Sequence, residues 1–384
     1  MLACATISLL AYGRAVAQPA PAIALLDAAD APQWQTLVKE MGWHVVSPAT
    51  AANANIDQRV QALAAAVRAA IQNGDVDRER VYLAGRGDAA AAVFYTISRV
   101  PDLWAAAAAL GGSPQAAIET GRIFAANFKN APVLWAGNGA GDQTLAEKLK
   151  SAGMNIEWRT AGGLTNSAVF GWLGSHARDP FPAAVDCETN SPAFASCYWI
   201  EMTKFDAAER NDVLPSTRLA PTRMAALDLG GFSYKKDDPG PGVLVSALPE
   251  KYSGPLKVGD RIVELDGREI GDARRFTEKM GQVTEERAVM AMVERSGRRI
   301  RVETRYALPR VDAFATARVQ GQYVADERVI QIISRTITQM RVTVPQQWAG
   351  GTLNWNGLPL EKIEEPGCIL LTVEKELLHA AKCP

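Results

Sequence analysis

A turn in the first quarter of the chain has the spacing of a nucleophilic site but lacks the nucleophile. A short apolar strand at residues 81–83 leads into it, and an Ala-rich helical segment follows. A strand-to-helix turn with the pattern G-x-S-x-G holds a serine hydroxyl above a sheet, ready to attack a carbonyl carbon. Gly87 occupies the serine position here, so the turn offers no hydroxyl or thiol for covalent catalysis. The five residues of this Gly87 turn are Gly85, Arg86, Gly87, Asp88 and Ala89.

The segments on either side of the Gly87 turn alternate between apolar strands and helices from Ala22 to about Pro182. The predicted strands are 23–26, 44–47, 81–83, 105–110, 132–136 and 156–160. The predicted helices are 32–41, 56–73, 88–99, 144–152 and 166–176. This alternation with short connections indicates an α/β fold with a parallel sheet covered by helices on both faces.

The pattern changes after residue 182. Residues 183–228 are rich in turn formers and contain one predicted strand at 197–202, which could pair with the tail. A compact segment follows at about 226–308. The tail favours a small antiparallel sheet with strands at 318–323, 329–334, 340–344, 352–355 and 368–373, and with a hairpin turn at Asn356 and Gly357. Trp348 and Trp355 could form a carbohydrate platform, although a role in packing is more common for such residues.

Residues 22–182 resemble the α/β-hydrolases, in particular the polyhydroxyalkanoate depolymerase-like and dienelactone hydrolase-like esterases. The resemblance rests on VYLAGRGDAAAAVFY, RVPDLWAAAAALGGSP, APVLWAGNGAGDQ and VFGWLGSHARDPFP. It implies a three-layer fold in which a serine, an acid and a histidine form the catalytic site. A fold alone does not determine the chemistry, so each position has to be compared separately.

The positions that match the family's catalytic residues are degenerate. Asp142 could supply the acid only with a shift in spacing, and Leu164 stands where the family has its histidine. Without a nucleophile and a base, an acid has nothing to orient. We therefore expect no catalytic residues and an inactive domain. The alternative is a working esterase or peptidase that uses other residues, with Asp88, Ser113 and Thr165 as the candidates. An acid at a helix start, such as Asp88, is however favourable without any catalytic function.

Residues 227–308 resemble a PDZ domain of the bacterial type. The segment GVLVSALPEKYSGPLKVGDRIVELDGREI matches the core of that family, and Asp266 with Gly267 is a strong hairpin signal within it. The residues that match the carboxylate-binding loop and the strand after it are Leu229, Gly230, Gly231, Phe232, Ser233 and Tyr234.

The PDZ resemblance implies a peptide-binding groove. Loop N–H groups would receive the C-terminal carboxylate of a peptide or partner protein, and the strand edge would pair with its backbone. The helix at about 272–280 would form the other wall. Ala273 at its start implies an apolar residue two positions before the ligand's C-terminus. The alternative is that this unit binds nothing and only packs internally.

Residues 1–21 resemble a secretory signal peptide. An apolar stretch is followed by Ala15-Val16-Ala17, although the usual basic start is missing and a frayed terminus remains an alternative. Export to the periplasm or secretion would favour disulfides. Two local bridges close the shortest loops and so have the smallest entropic cost of loop closure, namely Cys187 with Cys197 and Cys368 with Cys383. The other connectivities, and four free thiols, remain open.

The composition and net charge of the chain argue against nucleic-acid binding and against a local metal motif. The 384 residues are 48% hydrophobic and carry a net charge of -1, so the chain has no basic footprint for nucleic acid. Its three histidines are far apart in sequence, and no local zinc motif is present. We expect no cofactor, no metal and no membrane span in the mature chain. The predicted domains are a signal peptide at 1–21, an α/β-hydrolase-like domain at 22–182, and a β-rich domain at 183–226 and 309–384 that carries the PDZ-like domain at 227–308.

Overall fold

The computed structural model describes residues 18–208, 211, 213–221, 224–308 and 316–384. The chain divides into two compact units, Met1–Leu219 with Phe314–Pro384, and Ala220–Ala313. The second unit therefore interrupts the first in sequence. Among the described residues, no helix has the length and apolar character needed to cross a membrane.

A six-stranded parallel sheet forms the first half of the first unit, in the order β2-β1-β3-β4-β5-β6. The strands are Ala20–Ala24 (β1), His44–Val46 (β2), Val76–Arg86 (β3), Ala106–Leu110 (β4), Val133–Gly137 (β5) and Ile156–Thr160 (β6). The helices are Ala31–Glu40 (α1), Ile56–Gln72 (α2), Ala89–Arg99 (α3), Gln115–Glu119 (α4), Ala140–Ser151 (α5) and Asn166–Gly174 (α6). The predicted parallel sheet is confirmed, and only the short helix α4 was missed.

The sheet has a hydrophobic core on each face because side chains alternate along a strand. Val81 and Leu83 of β3 pack on one side with helices α2, α3 and α5, while Tyr82 packs on the other side with α1 and α6. In β4 four consecutive alanines alternate between the two cores. Their small side chains leave room for the large residues of the covering helices, such as Trp34 and Phe94.

Strand β1 includes the last two residues of the predicted signal peptide. Ala20 and Pro21 already belong to β1, and the Ala20 N–H donates to Asp75 O at 3.3 Å. The boundary at residue 21 is therefore wrong as a limit of the fold. Residues 1–17, which carry most of the predicted signal peptide, lie outside the described residues, so that prediction stays open.

Three further strands follow the α/β half: Ala184–Thr189 (β7), Ser196–Cys197 (β8) and Ile200–Phe205 (β9). The prediction of one continuous strand at 197–202 is wrong. Tyr198 has a φ of 57°, and this left-handed residue reverses the chain so that Cys197 pairs with Ile200. Strand β7 was missed because it lies in a segment that the sequence marks as rich in turns.

The described residues of the second unit form one antiparallel sheet and one helix. Its elements are Ala226–Leu227 (β10), Ser233–Tyr234 (β11), Val243–Ala247 (β12), Arg261–Leu265 (β13), Arg268–Glu269 (β14), Ala273–Gln282 (α7), Ala288–Arg295 (β15) and Arg298–Ala307 (β16). The strand order is β10-β16-β15-β13-β12-β11, with β14 paired to β13. Asp266 and Gly267 have φ values of 52° and 74°, which confirms the predicted tight turn between β13 and β14.

The tail returns to the first unit with seven strands. They are Ala317–Val324 (β17), Val329–Arg335 (β18), Ile337–Val344 (β19), Thr352–Trp355 (β20), Leu358–Leu360 (β21), Gly367–Glu374 (β22) and Leu377–Lys382 (β23). They form two five-stranded sheets, β21-β20-β18-β17-β7 and β23-β22-β19-β9-β8. The predicted pairing of the 197–205 region with the tail is confirmed by β9 and β19.

The prediction of a single antiparallel sheet in the tail is wrong. Thr336 separates β18 from β19 with a φ of 65°, and this one residue passes the chain from the first sheet to the second. In addition, β18 and β20 are parallel. The two sheets share one core, in which Trp348 and Trp355 are 4% and 0% exposed. These two tryptophans therefore have the packing role and form no carbohydrate platform.

Two disulfides are present, with the connectivity that loop entropy favours. Cys187 of β7 is joined to Cys197 of β8, so this bridge connects the two sheets through their common core. Cys368 of β22 is joined to Cys383, which attaches the last residues of the chain to their neighbouring strand. A reducing compartment would not maintain such bridges.

A buried carboxylate stands where the chain leaves and re-enters the first unit. Glu188 accepts hydrogen bonds from Ser216 and Thr217, which precede the second unit, and from Thr316, which follows it. The Arg335 guanidinium lies 3.1 Å from the same carboxylate. Because the Glu188 side chain has an exposed fraction of 0%, these partners replace all of its hydration. We call this cluster the Glu188 junction.

Candidate functional site

The Gly87 turn keeps a tightly packed backbone although its tip has no side chain. Gly87 has a φ of 56°, and its N–H donates to Leu110 O at 2.8 Å. A Cβ atom on Gly85 would lie 2.5 Å from Ala89 O, and one on Gly112 would lie 2.0 Å from Gly87 O. A Cβ on Gly87 itself would meet no atom within 4 Å. The turn therefore has room for a side chain at the nucleophile position and carries none.

Asp142 has a structural partner in the loop that follows β5. Its Oδ2 accepts the N–H of Asn138 at 3.0 Å, and its own N–H donates to Gly139 O. This closes the loop at the first turn of α5. Leu164 is half-buried against the core beneath α6 and has no titratable group. Neither residue provides a base for the Gly87 turn.

The other polar side chains considered for catalysis lie at the starts of helices. Ser113 Oγ accepts the N–H of Gln115 at 3.3 Å, and Thr165 Oγ1 caps helix α6 by accepting the N–H of Ala168 at 3.2 Å. Asp88 occupies the position before α3 without a side-chain capping bond. Each of these groups lies at a helix start, where a polar side chain is favourable in itself.

One serine does contact a histidine, but the geometry does not activate it. Ser175 Oγ lies 3.3 Å from His176 Nδ1, and the same Nδ1 lies 2.8 Å from Trp172 O. Since a carbonyl oxygen only accepts, Nδ1 must carry the proton and cannot take one from Ser175. Ser175 Oγ in turn donates to Trp172 O at 2.7 Å. Both bonds satisfy the Trp172 carbonyl oxygen near the end of α6.

A cavity of about 130 Å³ lies beside the Gly87 turn, at the carboxyl ends of the parallel strands. We call it the Arg86 cavity. The Arg86 side chain donates to Asn166 Oδ1 and places its Cζ 4.8 Å from the centre of the Trp34 ring. The sequence did not predict Arg86 and Asn166 as site residues, because their spacing of 80 residues gives no sign that their side chains meet. The cavity is lined by Arg86, Leu110, Gly111, Ala136, Ala161, Leu164, Asn166 and Val169.

In the second unit, the loop at 229–232 presents free backbone donors. Gly230 and Gly231 have φ values of 77° and 82°, a left-handed backbone that favours glycine. Leu229 is buried, and its N–H donates to Leu227 O at 2.8 Å. Within the described residues, the N–H groups of Gly230, Gly231 and Phe232 donate to no protein acceptor. Three successive donors are thus left for a ligand or for water.

Tyr252 and Gly254 support this loop from behind. A Cβ on Gly230 would lie 3.1 Å from the Tyr252 ring, and one on Gly254 would lie 2.6 Å from Leu229 O. The Tyr252 hydroxyl accepts the N–H of Leu256 at 2.9 Å. These contacts fix the backbone of the loop without using its free N–H groups.

Helix α7 packs beside strand β11 through Tyr234. The Tyr234 hydroxyl lies 3.0 Å from Thr277 Oγ1, and its ring centre lies 5.4 Å from that of Phe276. Ala273 is only 1% exposed and lies on the core face of α7, one turn before Phe276. The expectation that Ala273 faces the ligand is therefore wrong. Thr277 and Tyr234 are the side chains between the strand and the helix.

Asp260 holds the turn Lys257-Val258-Gly259-Asp260 together through its carboxylate. Its carboxylate accepts the Lys257 N–H at 2.7 Å and forms a two-bond pair with the Arg295 guanidinium. Burial by itself raises the pKa of Asp260, but the bonds from Arg295 and Lys257 outweigh it and hold that pKa below its usual value. Asp260 thus stabilises the fold of the second unit.

In the part of the chain that the structure describes, no three His, Cys, Asp or Glu side chains are grouped so that they could hold a metal ion.

Comparison with known proteins gives partial structural likenesses. No family model matches the chain, and no curated protein matches it. It is similar to a thermostable esterase (16% identity, 42% of this chain and 56% of that one, TM-score 0.34). It is also similar to Thermogutta terrifontis esterase 2 (14% identity, 41% and 81%, TM-score 0.31). A third likeness is to the HtrA-type protease AlgW with decapeptide (20% identity, 23% and 30%, TM-score 0.19). The chain spans about half of the first esterase and under a third of the protease.

Proposed function

We propose that this protein binds the C-terminus of a peptide or partner protein at the 229–232 loop of a PDZ-like unit, and that its α/β-hydrolase-like half is catalytically inactive. The observation that carries the proposal is the set of three successive N–H groups, of Gly230, Gly231 and Phe232, without protein acceptors among the described residues. A carboxylate needs several converging donors of this kind. We further propose that the protein acts outside the cytoplasm, where its disulfides are stable.

The strand after the loop supports the proposal. Strand β11 is the last strand of its sheet and pairs with β12 on one side, so its other edge can pair with an extended peptide. Half-buried Phe232 and Tyr234 lie at the start of this edge, with ring centres 6.2 Å apart. They offer an apolar contact for the side chain of the ligand's last residue.

A free carboxylate on the ligand should be required for binding. We expect a short peptide selected from a fluorescein-labelled C-terminal library to bind the full chain about tenfold to a hundredfold more tightly than its C-terminal amide. The reason is that amidation removes charge-assisted hydrogen bonds, which contribute about 1.5 to 3 kcal/mol. Fluorescence polarisation with both peptides measures the ratio.

Two glycine variants make the same test specific to the loop. Gly231→Val puts a β-branched residue at a φ of 82° and should weaken peptide binding. Gly297→Val is the matched control, since Gly297 has a φ of 76° in the turn after β15 of the same unit. It should carry a similar backbone strain and leave binding unchanged. If no peptide binds more tightly than about 1 mM, or if amidation makes no difference, the proposed binding site is wrong.

The α/β half should hydrolyse no ester. We expect purified protein to release p-nitrophenol from short-chain esters no faster than buffer and to remain unlabelled by a fluorophosphonate probe. Gly87→Ser should be inactive too, because with Leu164 at the histidine position the new serine has no base. Stoichiometric labelling of the unaltered chain would contradict the inactive assignment and favour an esterase or peptidase with other catalytic residues.

A further inference from the structure

The guanidinium of Arg86 is half-buried and has no acidic partner. Arg59 and Arg99 in the same unit form ion pairs with Asp27 and Asp57. For Arg86, by contrast, no carboxylate in the described part of the chain lies within ion-pair distance; its partners are the Asn166 amide oxygen and the Trp34 ring. A charge that is partly removed from water without a counter-charge is unfavourable. The same burial lowers the pKa of Arg86, and no acid opposes that effect.

The polar groups at this end of the Arg86 cavity are hydrogen-bond donors. A guanidinium has five N–H groups, and the described bonds of Arg86 use one nitrogen, toward Asn166 Oδ1. Since Oδ1 of Asn166 faces Arg86, its amide N–H groups remain available as donors. A fork of guanidinium and amide donors fits a planar carboxylate.

The rest of the cavity is apolar. Leu110, Ala136, Leu164 and Val169 line it, and none of them carries a polar side-chain atom. The cavity volume of about 130 Å³ limits the ligand to a small molecule. The ligand must therefore combine one anionic group with a short hydrocarbon chain.

We propose that the Arg86 cavity binds a short-chain aliphatic carboxylate, with the carboxylate on Arg86 and Asn166 and the alkyl chain between Leu164 and Val169. Because Gly87 supplies no nucleophile, the acid is bound and released unchanged. The site lies in the first unit and does not depend on the proposed peptide site in the second.

Butyrate and its neutral analogue butyramide test the charge requirement. Isothermal titration of the full chain at pH 7 should show saturable binding of sodium butyrate. Butyramide should bind at least tenfold more weakly, because it has nearly the same shape but no charge for Arg86 to pair with. Equal binding of the two compounds, or no saturable heat with butyrate up to about 50 mM, a concentration that would reveal even a weak complex, would overturn the proposal.

Variants test the residues. Arg86→Met keeps a long side chain over Trp34, removes the charge and should weaken butyrate at least tenfold. Arg78→Met is the matched control, an exposed arginine near the other end of the same strand β3, and should bind like the unaltered chain. Unchanged butyrate affinity in Arg86→Met would contradict the site.

Leu164→Phe tests the apolar part and keeps the proposal falsifiable if Arg86→Met does not fold. A larger ring in place of the half-buried Leu164 should reduce butyrate binding more than acetate binding, since only butyrate extends into that space. Equal loss for both acids, or inorganic phosphate bound more tightly than butyrate by the unaltered chain, would overturn the assignment to an aliphatic acid.

Discussion

Replacing Glu188 with alanine is expected to lower the free energy of unfolding of the first unit by about 3 to 5 kcal/mol, the range for losing one partner of a buried ion pair. The carboxylate accepts the Thr217 N–H at 2.7 Å and its hydroxyl at 2.8 Å, besides the hydroxyls of Ser216 and Thr316. Its removal would leave these buried donors without their acceptor and would take away the only carboxylate paired with Arg335 in the described residues, although the guanidinium keeps its bonds to Leu214 O and Thr316 O. Leaving donors buried and unpaired costs more than the bonds themselves contribute.

Urea unfolding followed by circular dichroism measures this loss. Glu201→Ala is the matched control, because Glu201 pairs with Arg341 at 3.0 Å in the same pair of sheets but is 49% exposed. An exposed ion pair contributes about 1 kcal/mol or less. If the two variants unfold at the same urea concentration, the Glu188 junction does not stabilise the fold in the way its burial indicates.

Removing the Cys187–Cys197 disulfide should cost about 3 kcal/mol. The bridge closes a loop with a sequence separation of 10, and the chain-entropy model gives about 3 kcal/mol for loops of that size. Both cysteines lie in the core, with exposed fractions of 2% and 0%, so a double substitution by alanine also loses packing contacts. Thermal unfolding of the double variant measures the loss.

The second bridge provides the comparison. Cys368 and Cys383 have a similar separation of 15, but both are half-buried, near the start of β22 and just after the end of β23. Their double alanine variant should therefore lose the entropic stabilisation of the bridge with little loss of packing, and should remain more stable than the Cys187/Cys197 variant. Mass spectrometry of non-reduced peptides confirms the pairing first. Four alkylatable thiols in protein recovered from a periplasm would contradict both the connectivity and the proposed export.

Periodicity along the chain predicted the parallel sheet well because each strand there is buried on both faces and each helix has one apolar stripe. The same reasoning failed in the β-rich region, where single left-handed residues decide the topology. Tyr198 and Thr336 adopt positive φ without being glycine or asparagine, so their sequence gives no sign of the reversals. A local pattern cannot reveal a turn that tertiary packing imposes.

In the candidate sites, too, some residues could be predicted from the sequence and others could not. Gly230 and Gly231 were predicted as loop residues of a binding site; their left-handed φ values suit glycine, and their role in binding stays a prediction. Ala273 was misjudged, since whether the first residue of a helix faces the core or the ligand depends on how the helix packs. Arg86 was missed for a different reason: an arginine becomes informative only when the structure shows that no acid accompanies it.

The Glu188 junction also has a consequence for the way in which the second unit interrupts the first in sequence. One carboxylate, that of Glu188, binds Ser216 and Thr217 before the second unit and Thr316 after it. The segment that leaves the first unit and the segment that returns to it therefore lie close together. Closing so narrow a gap with a short linker has a small entropic cost, which rises only slowly with the length of whatever is inserted. The core of the first unit therefore places little restriction on the length of the segment between Thr217 and Thr316.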